Sequence, residues 1–418
     1  MVIIIFVFFI IEFSIGRSLF KKNVNPIMSF VGVQLISLLL LYGSSFISIS
    51  IITPRVLCIY FISFICYTLG CVLGSRPKNY EINQYEMIRE DDEQDYQFKI
   101  VLLGMILLIS TLIYWTACIA LFGMESFFQQ LLHTKPSENT IAVSNIVLYF
   151  KMISLFLSPY VLFFIIKYRN KRIINYFILI LTFVSNIAYT RNVLFYIAIL
   201  DLFVLVYSRS NNGKKRSIKR WFLIIAIIIA MFWFFSFTQT EFNKQFIIDG
   251  TIFGRNVNGG FLTIVSYFSG AMSTVGLYLE NIANTPFLGH TFRTLIGFLS
   301  PLGFSMNTAL YQPTQWVYIP FQYNTSSMQY YIFSEGGWLW TIVFFLLFGF
   351  AHTKVYYWYI NKKSFSGILF LCFFSLMSVL SVREYIMVRL DSFIYLLFAT
   401  VCYMQESKRL KRIHITFR

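Results

Sequence analysis

The sequence predicts an all-α polytopic integral membrane protein with about 11 transmembrane helices and one large loop. Of its 418 residues, 57% are hydrophobic and only 12% are charged, and the mean hydropathy is +0.68. Soluble domains carry about 25% charged residues. Apolar runs of about 20 residues, the length that crosses a bilayer, alternate with short basic segments. The stretch 239–336 breaks this alternation and predicts the large loop.

The predicted spans are apolar runs bounded by polar or basic residues. They cover residues 2–16, 27–47, 55–74, 100–123, 143–166, 173–189, 191–207, 221–238, 337–353, 365–382 and 388–405. The chain is thereby divided into an N-terminal bundle of about eight helices over 1–238, the loop over 239–336, and C-terminal helices with a basic tail over 337–418.

Basic residues determine the predicted orientation. With the N-terminus outside, 25 of the 34 Lys and Arg residues fall in cytoplasmic segments, which are 17–26, 75–99, 167–172, 208–220, 354–364 and the tail after 406. Because short cytoplasmic loops carry an excess of Lys and Arg, the large loop is expected to face the periplasm or the cell exterior. The net charge of +16 is then a topology signal rather than a sign of nucleic-acid binding.

The six cysteines all lie within or beside apolar runs, and none lies in the large loop. The sequence has neither a disulfide framework nor a Cys/His spacing typical of a metal site. We therefore expect neither a metal nor another cofactor.

Two segments of the loop, 261–268 and 292–299, are apolar but too short or too interrupted to span, and they predict interfacial or re-entrant helices. Aromatic residues gather towards the end of the loop, among them Trp316 and Tyr323. Tyr and Trp favour membrane–water boundaries, and they also stack on sugar rings through a flat apolar face. Both interpretations are open at this point.

The arginines in predicted outer segments are candidate functional residues, because ionisable groups at membrane depth are unfavourable. The candidates are Arg191, Arg255, Arg293, Arg383 and Arg389. Arginine binds phosphate through paired hydrogen bonds, so an outward cavity lined by these side chains would suit a diphosphate. Snorkelling to lipid phosphate is the alternative for Arg191. A structural salt bridge is the alternative for Arg383 or Arg389, although Arg383 and Glu384, as neighbours in a helix, would pair poorly.

Lipid-linked sugar donors carry their diphosphate at this depth, and transfer of the sugar requires a residue that takes the proton of the acceptor hydroxyl. The candidate catalytic residues are Glu335, where the loop enters a span, and His290 in the loop. A boundary carboxylate and a hydrogen-bonding loop histidine are the alternatives. Asp201 and Glu12 lie inside spans and are expected to make polar contacts within the bundle or to be remnants of a proton path.

The order of these features resembles the Wzy-type polymerases, which join oligosaccharide repeat units in bacterial O-antigen and capsule synthesis. The matching stretches are NPIMSF (25–30), TRNVLFY (190–196), SYFSGAMST (266–274), FLGHTF (287–292), YNTS (323–326) and SEGGW (334–338). They are spread over nearly the whole chain. Each stretch is loose by itself, whereas the ordered set with a late outer loop is moderately specific.

The resemblance implies a GT-C-like protein of the bacterial cytoplasmic (inner) membrane that transfers a glycan without a metal and releases polyprenyl diphosphate. It implies a place for Arg191 near the diphosphate and glycan contacts from Tyr267, Asn324 and Thr325, to which we add Tyr323 and Trp316. The implied partners are the polyprenyl-diphosphate-linked donor and acceptor, the lipid bilayer, and a chain-length regulator and a flippase of the same pathway. No nucleic acid is expected.

Two other functions remain open. An O-antigen ligase shares the late outer loop and would transfer the glycan to a lipid A core, and His290 keeps this alternative in view. A lipid-linked oligosaccharide flippase would be built from repeated halves with short loops. The sequence shows no internal repeat and has an outer loop of roughly 95 residues, so a flippase fits less well.

Overall fold

The structure is a computed structural model, and it describes residues 1–45, 52–75, 90–124, 145–187, 191–208, 250–257, 259–280, 287–299, 317–318, 322–323 and 326–416. The helices are α1 (Val2–Phe20), α2 (Val33–Gly43, after a π-helical turn at Met28–Gly32), α3 (Pro54–Gly74), α4 (Glu90–Phe122), α5 (Asn145–Tyr168), α6 (Ile173–Ile187), α7 (Arg191–Tyr207), α8 (Gly259–Glu280), α9 (Gly289–Leu299), α10 (Met328–Lys362), α11 (Phe365–Leu380) and α12 (Leu390–Thr416). Two short antiparallel hairpins pair β1 (Thr251–Ile252) with β2 (Arg255–Asn256) and β3 (Val317–Tyr318) with β4 (Gln322–Tyr323).

Five of the described helices are long and apolar enough to cross a membrane, namely α1, α3, α4, α5 and α10. Shorter apolar helices accompany them at Met28–Gly43, Ile173–Asn186, Val193–Tyr207 and Phe365–Leu380. Length and composition thus support a multi-pass, all-α membrane protein. The number of 11 spans stays a prediction, and the predicted span 221–238 lies outside the described residues.

Packing divides the chain into two compact units, which are described separately. The first unit comprises Met1–Lys78, Ile225–Tyr357 and Phe374–Ser392, and the second comprises Asn79–Ile224, Trp358–Phe373 and Phe393–Arg418. The predicted division followed chain order, whereas packing places the described parts of the large loop in one unit with helices from both ends of the chain.

In the first unit, α3 and α10 meet through two glycines. A Cβ atom on Gly70 would lie 2.1 Å from the carbonyl oxygen of Leu346, and one on Gly349 would lie 2.1 Å from that of Tyr67. Small residues at such positions let membrane helices approach closely. Only glycine therefore fits at these two places without moving the backbone of the neighbouring helix.

The two acids inside predicted spans make the interior polar contacts expected of them. Glu12 is buried in the first unit and accepts a hydrogen bond from Thr68 Oγ1 at 2.7 Å. Asp201 is buried in the second unit and accepts one from Ser158 Oγ at 2.8 Å. These contacts satisfy part of the hydrogen-bonding capacity of carboxyl groups that are removed from water.

Helix α8 is longer than the short loop helix expected from the apolar segment 261–268. It has 22 residues, because the polar residues that interrupt the apolar pattern do not interrupt the helix. Ser273 Oγ donates to Gly270 O at 2.6 Å and Thr274 Oγ1 donates to Ala271 O at 2.8 Å. Side chains that bond to the backbone of their own helix can be buried within it.

Contacts in the first unit join segments that are predicted to share one side of the membrane. Thr251 N, in the outer loop, donates to Ser45 Oγ at 2.9 Å, near the predicted outer end of a span. Tyr357 OH donates to Leu19 O at 2.9 Å, and both residues lie in predicted cytoplasmic segments. These contacts agree with the prediction of which loops lie on the same side of the membrane. Which side is cytoplasmic is predicted only from the distribution of Lys and Arg residues.

Candidate functional site

A carboxylate joins the loop helix α9 to the beginning of α10. Glu335 Oε1 accepts a hydrogen bond from Thr291 N at 2.5 Å, and Glu335 Oε2 accepts one from Thr291 Oγ1 at 2.9 Å. Trp340 Nε1 donates to Glu335 Oε2 at 3.2 Å. Because Thr291 lies in the first turn of α9, the carboxylate satisfies a backbone N–H group that has no partner within the helix.

Two glycines create the break in α10 that follows Glu335. Gly336 and Gly337 both have non-helical backbone angles, and Gly337 has φ 61°. This left-handed value favours glycine. A Cβ atom on Gly336 would lie 2.6 Å from Cβ of Trp340, so the glycine there permits the close approach of Trp340. The close neighbour of Gly336 is thus a side chain of the same helix.

Helix α9 also contacts residues 381–389, which join α11 to α12 and contain the last predicted outer turn. Thr294 Oγ1 donates a short hydrogen bond to Val388 O. The hydroxyl groups of Thr291 and Tyr385 lie 3.2 Å apart. Segments that are almost 100 residues apart along the sequence thus meet, and both were predicted to be outside. We call α9, Glu335 and residues 381–389 the loop–turn cluster.

His290 is a buried histidine within the loop–turn cluster, only 1% exposed. Its ring packs edge-on against Tyr331 at 5.2 Å and lies 6.3 Å from Tyr330. Neither ring nitrogen has a hydrogen-bond partner among the described residues. Burial, and then the charge of Arg293, lower the pKa of His290 to about 4. The imidazole is therefore neutral near pH 7, so one of its ring nitrogens carries a lone pair.

The arginines of the outer turn have acidic neighbours. Arg389 is held in a fork by Asp391, with Nη2 at 2.8 Å from Oδ2 and Nε at 3.1 Å from Oδ1. This confirms that one of the two arginines forms a structural salt bridge. Buried Arg383 has Nη1 at 3.8 Å from Glu384 Oε1. The expected poor pairing of these neighbours assumed a helix, whereas Arg383 lies in a turn.

Other candidate residues lie elsewhere or are only partly described. Arg255 lies exposed on β2 in the first unit. Arg191 begins α7 in the second unit, and its side chain lies outside the described residues. The backbones of Tyr267 and Tyr323 belong to α8 and β4, without described side chains. Trp316, Asn324 and Thr325 lie outside the described residues.

The structure thus brings five of the candidates onto contacting segments: Glu335, His290, Arg293, Arg383 and Arg389. Sequence reasoning missed Thr291, Thr294 and Tyr385, whose hydroxyl groups join these segments. No local pattern indicates them, because Thr291 and Glu335 are separated by 44 positions. An ordinary threonine in the first turn of a helix does not indicate which distant acid it contacts.

The loop–turn cluster combines guanidinium groups with a buried neutral imidazole and a carboxylate. Such a set can bind an anionic group and accept a proton from a neighbouring hydroxyl. Comparison with protein-family models, curated proteins and solved structures found no match. The function is therefore inferred from the residues of the site and from the resemblance to the Wzy-type polymerases.

Proposed function

We propose that the protein polymerises polyprenyl-diphosphate-linked oligosaccharide repeat units into O-antigen or capsular polysaccharide at the outer face of the bacterial cytoplasmic membrane. The proposal rests on the contact between the loop helix α9, which carries His290 and Arg293, and the outer turn that holds Arg383 and Arg389. A cluster that places Arg293, Arg383 and Arg389 on contacting predicted outer segments suits a substrate whose diphosphate lies at the outer bilayer surface.

The arginines would stabilise the departing diphosphate. Arginine keeps its charge and offers donors in a fork that matches phosphate oxygens. Donors aimed at developing charge in a site that excludes water are a large catalytic contribution. In this proposal Arg293 and Arg383 bind the diphosphate in the loop–turn cluster, and Arg389 supports the turn from its pair with Asp391. For Arg191 and Arg255, a role in binding the lipid-linked substrate is proposed from the sequence alone.

The transfer itself requires a proton acceptor. The oxygen of the acceptor hydroxyl bonds to the anomeric carbon of the donor sugar, and the bond from that carbon to the diphosphate oxygen breaks. The diphosphate leaves with the electron pair, and the hydroxyl proton passes to His290 or Glu335. The glycan is contacted by Tyr267, Tyr323, Trp316, Asn324 and Thr325.

The test is polymerisation by the purified protein with a defined lipid-linked repeat unit in the presence of EDTA. We expect wild type to give a ladder of longer lipid-linked glycans, and Arg191→Ala and Arg255→Ala to weaken it. Arg172→Ala is the matched control, because Arg172 is an exposed arginine in a predicted cytoplasmic segment. Equal ladders from the control and both outer variants would show that neither Arg191 nor Arg255 is needed for the reaction.

The same reagents separate the other functions. Folded wild type that forms no ladder but transfers the glycan to a lipid A core would support an O-antigen ligase, for which His290 in the loop–turn cluster would be an equally suitable proton acceptor. Protein that forms neither product but moves the lipid-linked unit across a vesicle membrane would support a flippase.

A further inference from the structure

We infer that Glu335 is a positioning residue: its carboxylate fixes the first turn of α9 and thereby places His290 and Arg293. The roles of His290 and Arg293 in the reaction rest on the proposed function. The hydrogen bonds by which Glu335 holds α9 do not depend on it. The inference leaves His290 as the proton acceptor among the two candidates.

Most of the hydrogen-bonding capacity of the Glu335 carboxylate is used. Three of its roughly four acceptor positions are filled by Thr291 N, Thr291 Oγ1 and Trp340 Nε1. A carboxylate that takes the proton of an acceptor hydroxyl must lie within hydrogen-bond reach of that hydroxyl. If Glu335 took that proton, it would lose its charge, and the hydrogen bonds that hold α9 would weaken. His290, in contrast, has two ring nitrogens without a partner among the described residues.

The position of Glu335 explains how it acts through other residues. Thr291 directly follows His290 and lies two residues before Arg293, so fixing the first turn of α9 fixes both. Helix α9 has only 11 residues, and helices of that length are marginal in water by themselves. The place of α9 therefore depends on its contacts, and Glu335 holds the end that carries His290.

A carboxylate suits this task better than a carboxamide. The first N–H groups of a helix lack partners and carry partial positive charge, so an anion stabilises that end. The three groups around Glu335 all donate to it. A glutamine keeps one acceptor oxygen but presents an NH2 group to the others. Glu335→Gln should therefore release the first turn of α9 with little change in side-chain volume.

The experiment measures hydrogen–deuterium exchange of residues 287–299 together with polymerisation rate and its pH profile. The variants are Glu335→Gln, Thr291→Val, Thr291→Ser and Trp340→Phe. Glu406→Gln is the matched control, because Glu406 caps a different helix by accepting from Phe365 N and Ser366 N. Elution as a single folded species is required of each variant, and Thr291→Val tests the same contact if Glu335→Gln does not fold.

We expect at least tenfold faster exchange in the first turn of α9 for Glu335→Gln and Thr291→Val, with near wild-type exchange for Thr291→Ser and Glu406→Gln. Trp340→Phe should give a smaller increase. Turnover should fall in parallel with exchange, mainly through kcat, while the pH profile keeps its shape. Recovery of turnover in Thr291→Ser would separate positioning through the hydroxyl from a general loss of stability.

Two results would overturn the inference. Unchanged exchange with lost turnover and a flattened acidic limb of the pH profile in Glu335→Gln would make Glu335 the proton acceptor. Faster exchange with full turnover would show that the position of α9 does not matter for the reaction. The exchange measurement needs no substrate, so a wild type without polymerase activity would contradict the proposed function and still decide whether Glu335 fixes α9.

Discussion

Two carboxylates in this molecule cap helices with the same chemistry in different units. In the first unit, Glu335 accepts from the backbone N–H and the hydroxyl of Thr291. In the second unit, Glu406 accepts from the backbone N–H groups of Phe365 at 2.8 Å and Ser366 at 3.3 Å, and also from the Ser366 hydroxyl. We call these the Glu335 cap and the Glu406 cap.

The two caps differ in the residues that they hold. The Glu335 cap fixes a helix that carries His290 and Arg293. The Glu406 cap fixes the start of α11, where Phe365 stacks on Tyr96 at 4.2 Å and Ile368 is fully buried. The geometry of a cap therefore does not indicate a functional site. The ionisable residues on the helix that it holds provide that indication.

Arg293→Ala is expected to have the largest effect on activity. Removing one donor to a developing charge slows a reaction by about 100-fold or more, and Arg293→Lys should recover only part of this because lysine lacks the fork. The matched position on the helix with the Glu406 cap is Ile368, also two residues after the capped hydroxyl residue.

Ile368→Ala should behave in the opposite way. A cavity in packed apolar surroundings lowers the free energy of unfolding by about 2–5 kcal/mol, whereas turnover per folded molecule should stay at the wild-type value. Ladder assays and thermal unfolding of both variants make the comparison. Equal loss of turnover per folded molecule in both would remove the proposed distinction between the two capped helices.

The pH dependence of stability should come next in size. The pKa of His290 is lowered from 6.5 to about 4 in the folded state, so the unfolded state takes up a proton first as the pH falls. The contribution of His290 to the free energy of unfolding is fully present above about pH 6.5. It is lost at up to about 1.4 kcal/mol per pH unit as the pH falls to about 4.

His290→Gln removes this pH-dependent contribution of His290. The free energy of unfolding of the variant should therefore fall less than that of wild type between pH 6.5 and pH 4. Chemical unfolding in detergent at several pH values measures the difference. Identical pH dependence in the two proteins would mean that folding does not lower the pKa of His290.

Glu406→Gln should have the smallest effect and should change stability alone. Loss of charged acceptor contacts at a helix end lowers the free energy of unfolding by about 1–2 kcal/mol. The ladder per folded molecule should be unchanged, because α11 carries no candidate site residue. A slower polymerisation rate at equal folded concentration would show that the Glu406 cap also serves the reaction.

Much of the helical framework follows from the sequence. The predicted span 55–74 corresponds to Pro54–Gly74, since proline favours the first turn of a helix and the Thr53 side chain accepts a hydrogen bond from Val56 N there. The predicted span 365–382 corresponds to Phe365–Leu380. Long apolar runs with local start signals leave few alternatives to a membrane helix.

The site could be predicted from the sequence less well than the helices, because its contacts are not local. His290, Arg293 and Glu335 were recognised as candidates by charge and place. The hydrogen bonds that join them through Thr291 connect positions that are far apart in the chain, and the length of α8 was hidden by serine and threonine residues that bond within the helix. Residue type indicates what chemistry is available, whereas tertiary packing decides which groups meet.

Photo-crosslinking with a radiolabelled polyprenyl-diphosphate-linked repeat unit tests whether the loop–turn cluster binds the lipid-linked donor. A benzophenone amino acid replaces Phe292, which is 39% exposed beside Arg293, or Phe350, which is 38% exposed in the spanning part of α10. We expect labelling at position 292 that free polyprenyl diphosphate suppresses, and labelling at position 350, if any, that it does not suppress. Equal labelling at both positions without suppression would show that the donor does not bind at the loop–turn cluster.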